Sequence, residues 1–275
     1  MAFIWNMFQI KGKNQVFLEY IPNDDKIKAR EVNNMVEKRY VARTEYLDFL
    51  KRHQGKHIIK VVSGVRRSGK STLFLLFREY LRASGVAPEQ IITINFEDMA
   101  NEPLRDPHAL YKYLTNRLDN GKMTYIFLDE IQHVTDFEKV VDSLFIKDNV
   151  DLYITGSNAY FLSGEIATLL TGRYVQINML PLSFKEFVEW HKQNDLFTND
   201  TDMFNEYLKS SFPYTLFVQD EQERMEYLQG IYSTIVLTDI VTRLKVRDVP
   251  VLERVIRTLL RILVVQFQLA ILLIP

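Results

Sequence analysis

The sequence predicts a parallel α/β fold followed by a smaller helical region. Three observations carry this. Between His57 and Leu180, segments that read as strands alternate with segments that read as helices, which calls for crossover connections and parallel pairing. The strands are nearly continuous apolar runs, as a sheet requires when helices cover both its faces. A bare, basic turn, "GVRRSGKS", interrupts two such apolar runs at Gly64–Ser71.

Residues 1–34 lack clear periodicity and hold the polar knot "PNDDKIKAR", so they read as an N-terminal extension. From Met35, "MVEKRYVARTEYLDFL" spaces Tyr40, Tyr46, Leu47 and Leu50 as a helix does. "HIIKVVSG" is a strand, and "KSTLFLLFREYLRASG" a helix stopped by Gly85. "QIITINFED" is a second strand, and "DPHALYKYLTNRLDNG" a helix opened by Asp106 and Pro107 and ended at Gly121. Then come the strand "MTYIFLDE", the helix "DFEKVVDSLFIKD", the strand "VDLYITGSN" and a fifth strand, "GRYVQINML". After Pro181 the texture turns helical: "LSFKEFVEWHKQ" opens with Ser183 and Glu186 spaced as a capping box. "ERMEYLQGIYSTIVLTDIVTRL" and "PVLERVIRTLLRILV" continue it. The domain reading is therefore 1–34, a core over 35–180, and a helical region over 181–275.

The totals exclude several classes. A net charge of −1 over 275 residues argues against wholesale coating of nucleic acid. With no cysteine there is no disulfide framework, thiolate metal site or thiol nucleophile, which fits a cytoplasmic setting. "MAFIWNMFQIKGK" lacks the basic start and small-residue cleavage site of a signal peptide. "ILVVQFQLAILLIP" at Ile262–Pro275 is short for a bilayer span and reads as a buried helix or strand.

Gly64-Val65-Arg66-Arg67-Ser68-Gly69-Lys70-Ser71 matches the phosphate-binding pattern G-x-x-x-x-G-K-[ST] in full, between a strand and a helix. The glycines allow a tight turn whose N–H groups face inward, and the next helix adds the positive end of its dipole. Lys70 reaches the β- and γ-phosphates, and the Ser71 hydroxyl ligates Mg²⁺. Arg66 and Arg67 fill free positions and read as solvated. "YIFLDEIQ" puts Asp129 and Glu130 at a strand's carboxyl end, where ligands bind in open α/β sheets. Asp129 then holds Mg²⁺, and Glu130 polarises the attacking water as general base. In "LYITGSN", Ser157 and Asn158 are candidates to sense the γ-phosphate, with turn formation as the plainer reading. Arg173 could stabilise transition-state charge, from within the chain or from a neighbouring protomer, with a surface arginine as the alternative. Asn95, Glu97 and Asp98 end another strand and read as helix-capping residues. His133 reads as a packed or solvated residue.

Together "VVSGVRRSGKSTL", "INFED", "YIFLDEIQHV", "YITGSNAYFLSGEIATLLTGR" and "PLSFKEF" resemble the prokaryotic, archaeal-type AAA-like ATPases, over about Lys38 to Leu260. The resemblance implies a P-loop NTPase core of ASCE/AAA type, with an extra strand between the P-loop strand and the acidic strand. It also implies nucleotide binding by Gly64, Gly69, Lys70, Ser71 and Thr72, metal and water service by Asp129 and Glu130, and a sensor at Ser157–Asn158. Two departures stand out. Ser210-Ser211-Phe212-Pro213 occupies the place of a Gly-Gly-Phe-Pro element, and the segment after Arg261 is unlike the family's C-terminal domain. A truncated or frame-shifted end is expected from this, with Met35 as a family-like start.

The leading expectation is a Mg²⁺-dependent ATPase whose hydrolysis moves the helical C-terminal part against a protein client. Second is a nucleotide-dependent switch with little turnover, and third a P-loop kinase, disfavoured by the adjacent Asp129-Glu130. ATP is taken over GTP because no guanine-reading N-K-x-D is evident. Arg254, Arg257 and Arg261 on one helical face, with Arg243, Lys245 and Arg247 nearby, would allow DNA contact. The balanced charge favours a solvated face instead.

Overall fold

The computed structural model describes residues 40–118, 121–157, 170, 172–235, 240–241 and 245–272. The expectations for residues 1–34 and for Asn158 lie outside them. Five strands, β1 (Ile59–Gly64), β2 (Ile91–Asn95), β3 (Thr124–Asp129), β4 (Val150–Ser157) and β5 (Tyr174–Met179), form a wholly parallel sheet in the order β2-β3-β4-β1-β5. β4 therefore lies between the P-loop strand β1 and the acidic strand β3, as the resemblance implied. Every residue of β1 and β3 is buried, whereas β2 and β5, at the two edges, include exposed positions. Continuous apolar runs thus mark the strands covered on both faces.

The two-residue period of a strand sends alternate side chains to opposite faces, and each face has its own core. On one, Val61, Ile126 and Ile154 meet Leu110 and Leu114 of α3 (Pro107–Thr115) and Val141 and Leu144 of α4 (Phe137–Phe145). On the other, Val62, Phe127 and Tyr153 meet Leu50 of α1 (Thr44–His53) and Leu73, Phe74 and Phe77 of α2 (Lys70–Ala83). The rings of Phe127 and Tyr153 stack at 4.7 Å between centroids. A third cluster joins α5 (Phe184–Gln193) to α6 (Asp200–Lys209) through Leu182, Phe187 and Met203. α7 (Glu221–Thr234) and α8 (Val249–Leu272) follow.

Local signals set most boundaries. Asp106 accepts the Ala109 N–H and Pro107 opens α3. Ser183 and Glu186 form the expected reciprocal box, with Glu186 N–H on the Ser183 hydroxyl and Ser183 N–H on the Glu186 carboxylate. Two boundaries and one helix differ from expectation. α1 begins only at Thr44, because Arg43 takes a left-handed backbone (φ 47°, ψ 50°) that a continuous helix cannot contain. α3 stops at Thr115. α6 has no counterpart in the sequence reading, since only Met203 of its ten residues is buried and the apolar period is correspondingly faint. The C-terminal apolar stretch is the end of α8 as far as Leu272. Among the described residues, no helix is long and apolar enough to cross a membrane.

At the N-terminal end of the strands, away from the P-loop, sits a buried charged cluster. Lys60 of β1 is fully buried, ion-paired to Asp151 of β4, and donates to the Lys56 carbonyl at 2.7 Å. The second Asp151 oxygen accepts the Tyr153 hydroxyl and the Gly55 N–H, each at 2.8 Å. Burial holds the Lys60 ammonium below its usual range despite Asp151, and pushes the Tyr153 phenol up. Removing one partner of such a pair strands the other. Lys60→Met should cost about 3–5 kcal/mol in urea denaturation, and adding Asp151→Asn should recover part of the loss.

Candidate functional site

β1 ends at Gly64, the chain loops through Val65–Ser68, and α2 starts at Lys70 with Gly69 as its N-cap. The two glycines answer different constraints. Gly64 (φ 155°) is paired across the sheet with Met179, and a Cβ there would lie 2.2 Å from the Met179 carbonyl oxygen. Gly69 (φ 100°) faces comparatively open space, the nearest atom to such a Cβ being the Met179 methyl at 3.6 Å. Its backbone is what requires glycine. Arg67 is also left-handed (φ 63°), so the loop turns sharply and α2 points its first N–H groups at the space above β1.

Four side chains converge there. Lys70 is 4% exposed, and its ammonium lies 3.3 Å from the Gly64 carbonyl, 3.4 Å from that of Val65 and 3.3 Å from the Glu130 carboxylate. Asp129 ends β3, 5% exposed, and its carboxylate is hydrogen-bonded by the hydroxyls of Thr155 and Ser71. Burial raises the Asp129 carboxyl above the ordinary aspartate range, Glu130 adds to this, and the two hydroxyls and Lys70 oppose it. Glu130 has a left-handed backbone (φ 54°) and donates its N–H to the Thr155 hydroxyl at 2.9 Å. Its carboxylate also accepts from the Gln132 amide at 2.5 Å.

The other expected site residues divide. Val65 offers its carbonyl to Lys70, and Thr72 lies in the first turn of α2. Ser68 is buried, with a hydroxyl that has no partner among the described residues. Arg66 lies 3.5 Å from Glu97, and Arg67 places its guanidinium 5.6 Å from the Tyr227 ring centroid. Arg67 is exposed and Arg66 partly so, in keeping with solvated loop residues, though each also has a neighbour. Ser157 stands level with Gly64 in the β1–β4 register. Asp98 caps the short helix after β2 by accepting the Ala100 N–H. Arg173 is not brought to the cradle. It precedes β5 and gives its carbonyl to the Ile59 N–H, at the other end of β1 from Gly64. That is roughly 20 Å away at about 3.3 Å per residue, and its guanidinium pairs with Asp142. A catalytic role for Arg173 within its own chain is thereby corrected.

Sequence reading missed three residues. Thr155 joins Asp129 to Glu130, and its signal was the same polar strand end that pointed to Ser157. Gln132 holds Glu130 from inside a short 3₁₀ turn. Arg43 contacts the loop itself at the Ser68 carbonyl, and no local pattern marks it.

The sequence over residues 56–188 matches the family model described as the AAA domain. The chain is 39% identical over 221 residues to an uncharacterised protein of Haemophilus influenzae, covering 80% of this chain and 55% of that one. It is 31% identical over 247 residues to the uncharacterised protein MJ1544 of Methanocaldococcus jannaschii, covering 81% and 54%. The chain thus spans about half the length of these curated relatives. Among solved structures, AMPPCP-bound DnaA from Aquifex aeolicus aligns at 14% identity with a TM-score of 0.43, covering 70% of this chain and 62% of that one. The stretch that matches the family model contains all of Lys70, Ser71, Asp129 and Glu130.

The contrast between the two glycines is measurable. Gly64→Ala should cost about 3 kcal/mol, because the β1–β5 pairing must shift. Gly69→Ala should cost about 1–2 kcal/mol, as backbone strain alone. Urea denaturation of both variants checks the order.

Proposed function

We propose that the chain binds ATP in the Gly64–Thr72 cradle with Mg²⁺ at Ser71 and Asp129, and hydrolyses the terminal phosphoanhydride bond. The observation that carries this is the convergence of Lys70, Ser71, Asp129 and Glu130 at the carboxyl ends of β1 and β3. Ser71 and Asp129 form a pair of hard oxygen donors, which suits Mg²⁺, an ion that keeps waters and substrate phosphates as its remaining ligands. When bound, the ion supplies positive charge to the β- and γ-phosphate oxygens. Two buried carboxylates face one ammonium in this site, so added cationic charge also suits a polyanion here.

Lys70 gives the chain's own part in the mechanism. Its ammonium rests against Glu130 and two loop carbonyls, and phosphate oxygens are stronger partners. On moving to them it releases Glu130, which then takes the proton of the attacking water. Thr155 keeps Asp129 and Glu130 in fixed relation through this exchange. The result passes to the helical region, where Glu186 and Tyr227 meet Arg43 and Arg67, and Pro213 lies beside Gly69.

A second reading, a nucleotide switch with little turnover, is favoured by one observation: Glu130 is engaged by both Lys70 and Gln132. Calorimetric binding of a non-hydrolysable ATP analogue with Mg²⁺, beside phosphate release without added acceptor, separates the two. Lys70→Ala should weaken binding by about tenfold or more. Glu130→Gln should bind like the parent but release phosphate about 100-fold more slowly. Parent and Glu130→Gln binding alike and turning over equally slowly would establish the switch instead. Absence of binding by the parent would remove both readings.

A further inference from the structure

Arg43 precedes α1 and belongs to no nucleotide-binding motif, yet it is 4% exposed and held in a left-handed backbone. Its guanidinium reaches three separate segments. One terminal nitrogen donates to the Ser68 carbonyl inside the phosphate loop at 3.0 Å. The other donates to the Leu180 carbonyl at 2.6 Å, with the Pro181 carbonyl at 3.5 Å. The Nε donates to Glu186 at 2.8 Å. Glu186 is no free partner, because its second oxygen accepts the Ser183 N–H and hydroxyl at the start of α5. Tyr46 braces the arrangement: the guanidinium lies 4.6 Å from its ring centroid, and its hydroxyl accepts the Leu180 N–H at 3.2 Å.

The contact to Ser68 has a geometric consequence. A trans peptide is planar, so its C=O and N–H point in opposite directions. By holding the Ser68 carbonyl, Arg43 fixes the direction of the Gly69 N–H, which points the opposite way. Gly69 restrains this peptide little, since glycine tolerates many backbone angles. The planar, five-donor fork of arginine suits several acceptors at once, whereas a lysine ammonium is a compact point charge. A displacement of Leu180–Pro181 or of the first turn of α5 therefore pulls on the same side chain that sets the Ser68–Gly69 peptide.

We infer that Arg43 is a positioning residue that couples the phosphate cradle to α5, so that nucleotide occupancy and the placement of the helical region are set by one guanidinium. This rests on the nucleotide-binding reading above. Trp190, on α5 one turn beyond Glu186 and packed edge-on against Phe217, is a reporter outside the cradle. The chain has two tryptophans, so Trp5→Phe leaves Trp190 alone.

In that background, AMP-PNP with Mg²⁺ is titrated while Trp190 emission and calorimetric affinity are both followed. The parent should bind with a change in emission. Arg43→Lys, shown folded by circular dichroism at the assay temperature, should bind about tenfold or more weakly and lose the emission change at saturation. Glu186→Gln, which keeps shape and removes charge, should also lose most of the emission change, and carries the test if Arg43→Lys does not fold. The inference is overturned if these variants keep the full emission change at saturation, whatever their affinity, because Arg43 is then only a brace. A parent that binds without any emission change overturns it as well. A parent that does not bind removes the nucleotide reading, and this inference with it.

Discussion

The register of β1 between β4 and β5 is the constraint on which the site depends. It sets Gly64 level with Ser157 on one side and Met179 on the other, while Leu128 of β3 lies level with Ile154 of β4. The carboxyl ends of β1, β3 and β4 therefore finish together, and Lys70, Asp129 and Thr155 meet. A slip of one residue would turn every strand side chain to the opposite face. It would bury the charged residues in the two cores and carry Asp129 away from Ser71. The two apolar faces of the sheet hold the register, and the chemistry inherits it.

Within that frame the site is a compact electrostatic problem. One ammonium and two carboxylates are nearly buried together, and burial already raises the proton affinity of Asp129. Hydroxyls from Ser71 and Thr155 offset part of the cost, as buried charges require. A second buried charged cluster, Lys60–Asp151 with Tyr153, has its hydrogen bonds closed on itself at the far end of the strands. The difference is instructive: one cluster is saturated by the protein, the other presents its charges beside a loop of main-chain amides.

The helical region is joined to this site by few but specific contacts. Arg43 bonds carbonyls on both sides, Arg67 lies beside Tyr227, and Pro213 is 3.9 Å from where a Gly69 side chain would begin. Ser210-Ser211-Phe212-Pro213, noted as a departure from the resembling family, contributes that proline. It also contributes the Ser211 carbonyl that accepts the Leu182 N–H at 2.7 Å.

The amino-acid sequence by itself determined whatever depends on neighbours along the chain. The alternation of strands and helices, the capping box at Ser183, the glycine–lysine–serine turn and the acidic strand end were all legible, because each is a local pattern with a local cause. Tertiary structure alone decided which strand lies beside which, and with it the fate of individual residues. Arg173 shares its surroundings with Asp142 rather than with the cradle, since it precedes β5 at the end of the sheet opposite Gly64. Thr155 links the two acids, and Gly64 is required by a carbonyl more than a hundred residues further along the chain. Arg43 carries no local signature at all. Its three partner segments come together only when β1, β5 and α5 are packed, and long-range geometry of that kind is set by burial and register, not by spacing in the chain.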